Sequence, residues 1–242
     1  MSAPAKLDLF RALASLVYPP TCTICSASVG LREYLCGDCE GKLSRIVPPF
    51  CAKCSEPFDG AITNPFSCAN CSHRVLYFDA AVSAYRSRGI VRQVILNFKY
   101  GRQAHLRHLV ARWLIASLDD SRIRESVFDA IIPVPLHPAK QRERGFNQAA
   151  LLADRVAPCL GIPVRPLLQR VRFTTTQTAF DRAERIQNLR HAFRLRRNRD
   201  VRNLRVLLID DVLTTGSTLS ECARVLKENG ARSVYAATAA RA

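Results

Sequence analysis

A chain of 242 residues with 48% apolar content has room for one or two domains and an ordinary core. Its formal charge of +16 is unevenly spread: residues 1–75 carry seven basic and six acidic side chains, the remainder twenty-nine and fourteen. Such a field attracts polyanions, whether nucleic acid or a diphosphate, while no apolar run reaches membrane-spanning length, which argues against membrane insertion.

The first periodic segment, residues 7–18, places Leu9, Phe10, Leu13, Leu16 and Val17 on one face. Asp8 and Arg11 interrupt it and Pro19-Pro20 stop it. It reads as a short packing helix rather than a signal peptide, so a cytoplasmic location is expected.

Eight of the ten cysteines then form four C-x2-C knuckles: Cys22/Cys25, Cys36/Cys39, Cys51/Cys54 and Cys68/Cys71. Two residues between thiolates let a tight turn aim both sulfurs at one ion, and two turns complete a tetrahedron. Pro and Gly break the region into turns, and it holds too little apolar surface for its own core. Metal is expected to supply its stability, roughly 10–16 kcal/mol per structural zinc. Two structural Zn2+ sites of four cysteines each are predicted, against disulfides or an iron–sulfur cluster. Pairing of successive knuckles is the simplest topology, with an interleaved one open; His73 reads as a surface residue. Eight thiolates and two Zn2+ take residues 1–75 from +1 to −3, which is not the footprint of a DNA-binding finger. The module reads as structural, or as a docking site for a protein partner.

After a junction near residues 72–78, strands and helices alternate. Strands are expected at 80–85, 128–133, 162–168, 204–210 and 233–238, and helices at 90–98, 106–118, from near Gly145 to 157, and after Thr218. His105 and His108 share a helix face without a third ligand and read as structural; Cys159 and Cys222 read as core thiols. The pattern predicts an α/β fold with a doubly wound parallel sheet over 76–242, preceded by a small Cys-rich double ribbon over 1–75. Ligands of such sheets sit beyond the carboxyl ends of the strands. At one such end the loop from 133 to 148 carries three prolines and the cations Lys140, Arg142 and Arg144. Residues 170–188 are too long for a simple turn and read as a flap.

The most informative stretch runs from 206 to 218 (VLLIDDVLTTGST). Four apolar residues read as a strand buried on both faces. Asp210 and Asp211 follow where it should emerge, then Thr214, Thr215, Gly216, Ser217 and Thr218 open a helix. Such a turn presents backbone N–H groups to an anion, while carboxylates accept hydrogen bonds from sugar hydroxyls. Receiver-type and Toprim-type folds also end strands in acidic pairs, and Thr218-x-x-Glu221 fits a plain capping box; neither needs both carboxylates and this turn at this offset. The segment resembles the signature of the type I phosphoribosyltransferases. The resemblance implies that it grips the ribose 5-phosphate of phosphoribosyl diphosphate (PRPP), with Mg2+, and that the loop at Lys140, Arg142 and Arg144 holds the diphosphate.

The knuckles, P-V-P-L-H-P…R-G-F-N-Q, R-x-R-x-T-x-T-Q…E-R-x-x-N and the Asp-Asp turn together resemble the ComF/GntX family across nearly the whole chain. Its members are phosphoribosyltransferase-like proteins linked to competence, the uptake or use of external DNA. The matched positions are Arg144 with Gly145, Phe146, Asn147 and Gln148, then Arg170, Gln177, Arg185 and Asn188 of the flap, and Asp210 through Thr218. The chain shows no glutaminase segment, which argues against a purine-pathway amidotransferase. Two functions follow as expectations: a phosphoribosyltransferase whose aspartates orient the ribose, or a non-catalytic PRPP- or single-stranded-DNA-binding factor in DNA uptake. For the latter the twelve basic and three acidic residues between 165 and 205 are the expected contact.

Overall fold

The computed structural model describes residues 19–60, 64, 66–101, 103–173 and 189–242. The expected helix at 7–18, and Gln177, Arg185 and Asn188 of the expected flap, lie outside them. The strands are β1 (Ala81–Arg86), β2 (Ala130–Pro133), β3 (Leu168–Arg170), β4 (Phe193–Leu195), β5 (Arg205–Leu213) and β6 (Ser233–Arg241). The helices are α1 (Gly37–Gly41), α2 (Ala69–Ser72), α3 (Gly89–Tyr100), α4 (Arg107–Ala116), α5 (Pro138–Arg144), α6 (Gln148–Leu160) and α7 (Ser217–Glu228).

Four strands form one parallel sheet in the order β1-β6-β5-β2. Both faces are covered, which is why β5 reads as a continuous apolar run rather than an alternation. On one face Val94 and Phe98 of α3, Leu114 of α4 and Leu152 of α6 pack against Leu207 and Ile209. On the other, Leu219 and Cys222 of α7 and Phe193 of β4 pack against Val206 and Leu208. The expected strand at 162–168 is reduced to a single parallel bridge from Val164 to Ile131 at the outer edge of β2. Pro163 and Pro166 flank Val164 and Arg165 and cannot donate, so no ladder propagates; the chain turns instead into the β3–β4 hairpin.

The cysteine-rich region closes the opposite edge. Ile46 N–H donates to Ala84 O at 2.9 Å and Arg86 N–H to Ser44 O at 2.8 Å, pairing the segment between the two ribbons antiparallel with β1. An exposed strand edge is thereby removed. The two ribbons fall on opposite faces: Leu35 and Cys39 join the core of α3, α4 and α6, whereas Cys51 and Cys54 join that of α7. Neither ribbon therefore relies on metal alone.

Arg122 fastens the second ribbon from beyond α4. Its Nη1 donates to the carbonyls of Cys51 (3.1 Å) and Ala52 (2.9 Å), and its Nη2 donates to Ser55 Oγ (2.7 Å) and pairs with Asp120 (2.6 Å). The guanidinium also lies 4.7 Å from the Phe50 ring centre. Arg122→Ala should cost about 2–3 kcal/mol of stability by losing several charge-assisted bonds to the ribbon backbone at once. A urea melt with zinc bound measures it; a loss below about 0.5 kcal/mol, the size of an ordinary surface substitution, would contradict the role.

Candidate functional site

The four knuckles gather in successive pairs, Cys22, Cys25, Cys36 and Cys39 in one set and Cys51, Cys54, Cys68 and Cys71 in the other. Within each set the Sγ atoms lie within 4.8 Å of one another. Cys25 is 3.5 Å from Cys36 and 3.7 Å from Cys39; Cys68 is 3.6 Å from both Cys54 and Cys71. A zinc ion with Zn–S bonds of about 2.3 Å sets the edge of its sulfur tetrahedron at about 3.8 Å, so both sets fit Zn2+. The first knuckle of each is built alike. Ser26 and Ser55 take positive φ (62° and 58°) and return their N–H groups to the carbonyls of Cys22 and Cys51. The bridge Thr21–Ser28 recurs as Phe50–Pro57, so the two ribbons repeat one design. His73 belongs to neither set.

At the carboxyl end of the sheet the Asp-Asp pair sits differently from expectation. β5 does not stop before it but continues to Leu213, with Asp210 registered on Thr238 and Val212 on Ala240 of β6. Successive residues of a strand face opposite sides, so the carboxylates part. Asp211, 3% exposed, turns to the α3 side and accepts from Lys99 Nζ at 2.8 Å. Burial works against the Lys99 charge, but Asp211 and then Asp210 outweigh it and raise its pKa. Asp210, on the other side of the strand, is partly accessible yet enclosed by protein, and accepts the Asp211 N–H at 2.9 Å. Burial first, and the Asp211 charge second, push its pKa up to about 7.

The expected diphosphate loop is the short helix α5, whose N-cap His137 accepts from Ala139 N–H. Gly145 ends α5 with φ +81° instead of opening the next helix, and α6 starts at Gln148 behind its cap Asn147. The helical spacing sorts the three cations. Lys140 and Arg144, four apart, share the inner face, while Arg142 is exposed on the outer one. Arg144 donates to Tyr100 Oη (3.1 Å) and Gln148 Oε1 (3.2 Å), with its guanidinium 4.7 Å from the Tyr100 ring centre. Arg170, at the end of β3, lies 5.3 Å from the Phe193 ring centre. Burial lowers the pKa of Lys140, and the charges of Arg170 and Arg144 add to it. Burial likewise lowers that of Arg170, where Asp210 acts in the opposite sense. Lys140, Arg144 and Arg170 thus form one group of cations, and Arg170 is the member that feels the Asp210 charge. Lys99 and Tyr100 were not singled out from the sequence; a basic residue in the last turn of a helix is ordinary, and nothing local pointed to β5.

The turn after β5 keeps its expected form. Gly216 adopts φ +76° as the N-cap of α7, and a β-carbon there would stand 3.4 Å from Arg74 Nη2 and 3.5 Å from Phe78. Only glycine takes this backbone without strain. Thr215 Oγ1 and Ser217 Oγ are 2.9 Å apart. The N-cap Gly216 has no side chain to cap α7; the Ser217 N–H donates to Thr215 Oγ1 at 3.4 Å, and the N–H groups that follow open onto the turn. The capping box does not form: Glu221 accepts from His191 N–H at 2.8 Å and pairs with Arg224 at 2.7 Å. Cys222 is buried as expected, but Cys159 is exposed on α6, where neither sheet nor hairpin covers it.

Residues 13–75 match the double zinc ribbon domain and residues 147–242 the phosphoribosyl transferase domain. The chain is 30% identical to competence protein F of Haemophilus influenzae, over 91% of this chain and 96% of that one. It is 30% identical to DNA utilization protein YhgH of Salmonella typhimurium, over 90% and 96%. With competence protein ComFC of Bacillus subtilis it shares 28%, over 82% and 80%. Among solved structures, the purine phosphoribosyltransferase of Pyrococcus horikoshii is 20% identical over 52% of this chain and 68% of its own, with a TM-score of 0.33.

Two measurements check these sites. Metal analysis should return two zinc ions per chain; none, or iron with inorganic sulfide, would contradict both ribbons. For Asp210, a folded-state pKa raised to about 7 means that the folded chain holds a proton the unfolded chain has released. The associated stability is complete below about pH 4 and is lost as pH rises to about 7. The thermal stability of Asp210→Asn relative to the parent should therefore climb between pH 5.5 and 7 and stay level above. A difference independent of pH would show that Asp210 is ionised throughout.

Proposed function

The chain belongs to the ComF family of competence proteins, and on that premise we propose that residues 76–242 form a PRPP-binding phosphoribosyltransferase unit, preceded by the double ribbon of residues 1–75, that serves the use of external DNA in the cytoplasm. The observation that carries the reading is the group of cations Lys140, Arg144 and Arg170, linked to Asp210 through Arg170, together with the turn Thr214–Thr218 at the start of α7. A sugar with vicinal hydroxyls and phosphates at both ends matches this arrangement. The 5-phosphate meets the turn, the hydroxyls meet Asp210, and the diphosphate meets the three cations.

Catalysis in such a site is positional and electrostatic. As the bond from the anomeric carbon to the diphosphate oxygen breaks, positive charge grows on the sugar and negative charge on the leaving group. Asp210 stabilises the first and orients the hydroxyls; Lys140, Arg144 and Arg170 stabilise the second. Asp210 would be the carboxylate available to a Mg2+ ion accompanying PRPP, which would supply further charge neutralisation of the diphosphate. Ionisation of Asp210 near pH 7 makes metal-assisted binding weaken as the solution becomes acidic.

Calorimetry with PRPP and Mg2+ tests the placement. Asp210→Ala and Thr215→Val should each weaken binding by about 1.5–3 kcal/mol, the worth of a charge-assisted hydrogen bond. Unchanged affinity in both folded variants would refute it. Diphosphate release across a panel of bases and amines separates an enzyme from a non-catalytic PRPP-binding factor.

A second reading, contact with single-stranded DNA, draws on the exposed Arg172, Arg190, Arg194, Arg196, Arg197 and Arg199 around the β3–β4 hairpin. Fluorescence anisotropy of the full chain should then show affinity falling with salt, at a log–log slope of about −0.7 per neutralised phosphate. Arg194→Glu with Arg197→Glu should flatten that slope; no binding at low salt would end this reading.

A further inference from the structure

The second ribbon touches the phosphate turn directly. Asn70 lies in α2 between two of the clustered thiols, Cys68 and Cys71, and its Nδ2 donates to the Thr215 carbonyl at 3.2 Å. Four residues on, Arg74 donates from Nε to the Asn70 carbonyl and from Nη1 to Ser217 Oγ, each at 3.1 Å. Its Nη2, with Leu213 Cδ1, would stand 3.4 Å from a β-carbon on Gly216. Glu56 of the same ribbon pairs with Arg241, whose Nη1 donates to the Leu213 carbonyl at 3.2 Å, just before the turn. Between ribbon and turn runs a cleft of about 560 Å³, lined by Asn70, Thr214, Thr215 and Arg241 among others. The first ribbon has no such contacts: among the described residues it meets α4 and its approach, through Tyr34 against His105 and His108 and through Glu40 with Arg112.

We propose that the second four-cysteine site and the Thr214–Thr218 turn are one coupled device. Zinc at Cys51, Cys54, Cys68 and Cys71 positions Asn70 and Arg74, and these hold Thr215, Gly216 and Ser217 in the form that receives the 5-phosphate. The inference rests on the reading of that turn as the phosphate site. A turn of small residues held from within only by Thr215 and Ser217 is costly to order, and a preformed turn binds more tightly by the ordering it no longer has to do. The segment 68–74 takes its shape from the metal-bridged thiols, so losing the ion releases both struts. Because coupling is reciprocal, a ligand in the turn must hold the second zinc more tightly by the same factor. Asn70 and Arg74 are positioning residues in this scheme, and the first zinc is the internal control.

The test uses the full chain loaded with two zinc ions. Zinc affinity is measured by competition with a chelator, with and without PRPP and Mg2+. One of the two ions should be held about fivefold or more tightly in the presence of PRPP, and the other should be unaffected. In Asn70→Ala/Arg74→Ala, which keeps all eight cysteines, this protection should vanish and PRPP affinity should fall about tenfold. PRPP that binds the parent chain but leaves both zinc affinities unchanged overturns the coupling, whether or not the double variant folds. A folded double variant with parental PRPP affinity overturns it as well. Failure of PRPP to bind the parent chain overturns the phosphate-site reading itself, and the coupling with it, so the two failures are distinguishable.

Discussion

Two adjacent carboxylates at the end of a strand buried on both faces impose the constraint around which this molecule is arranged. β5 lies inside the sheet, with β6 on one side and β2 on the other, so neither aspartate can be left to bulk water. An unpaired charge there would cost several kcal/mol. Counter-charges have to arrive from elsewhere, and each comes from a different element. α3 brings Lys99 to Asp211, and β3 brings Arg170 to Asp210, with Lys140 and Arg144 of α5 near Arg170. For Asp210 the charges of Lys99 and Arg170 do not outweigh burial and the neighbouring Asp211, which is why its pKa rises to about 7.

The ribbons belong to the same arrangement. The segment between them completes the edge at β1, and the two metal clusters are distributed to the two faces of the sheet. Arg122 grips the backbone of the first knuckle in the second ribbon, and Asn70 and Arg74 reach from its other knuckle to the turn before α7. A module that looks from its composition like an appendage is therefore interleaved with the α/β unit through main-chain pairing, shared core and polar struts. Its position, not its own charge, connects it to the turn before α7.

Much of this was legible in the residues. The C-x2-C spacing specifies a tight turn with two convergent sulfurs, and that local geometry holds in any fold, so both zinc sites could be read directly. The apolar run into Asp210 and the Thr-Thr-Gly-Ser-Thr turn were legible for the same reason, since each depends on neighbours in the chain. The strand expected at 162–168 failed because prolines at 163 and 166 remove ladder donors whatever the apolar pattern suggests. The capping box that Thr218-x-x-Glu221 also fits does not form because α7 begins at Ser217 behind Gly216, which leaves Thr218 inside the helix, and Glu221 accepts from the His191 N–H and pairs with Arg224.

The sequence by itself determined the parallel α/β class, the pairs of thiols that hold metal, the position of the acidic pair and the glycine its turn requires. All of these are set by periods of two, three or four residues. Tertiary structure alone decided which cations meet which carboxylate. Lys99 and Asp211 are 112 positions apart in the chain, and Arg142 and Arg144 differ in role only by the face of α5 on which each stands. It also decided that Asn70 and Arg74 lie against Thr215 and Ser217. Contacts across such separations depend on how sheet, helices and ribbons pack together, and packing leaves no periodic mark on either partner.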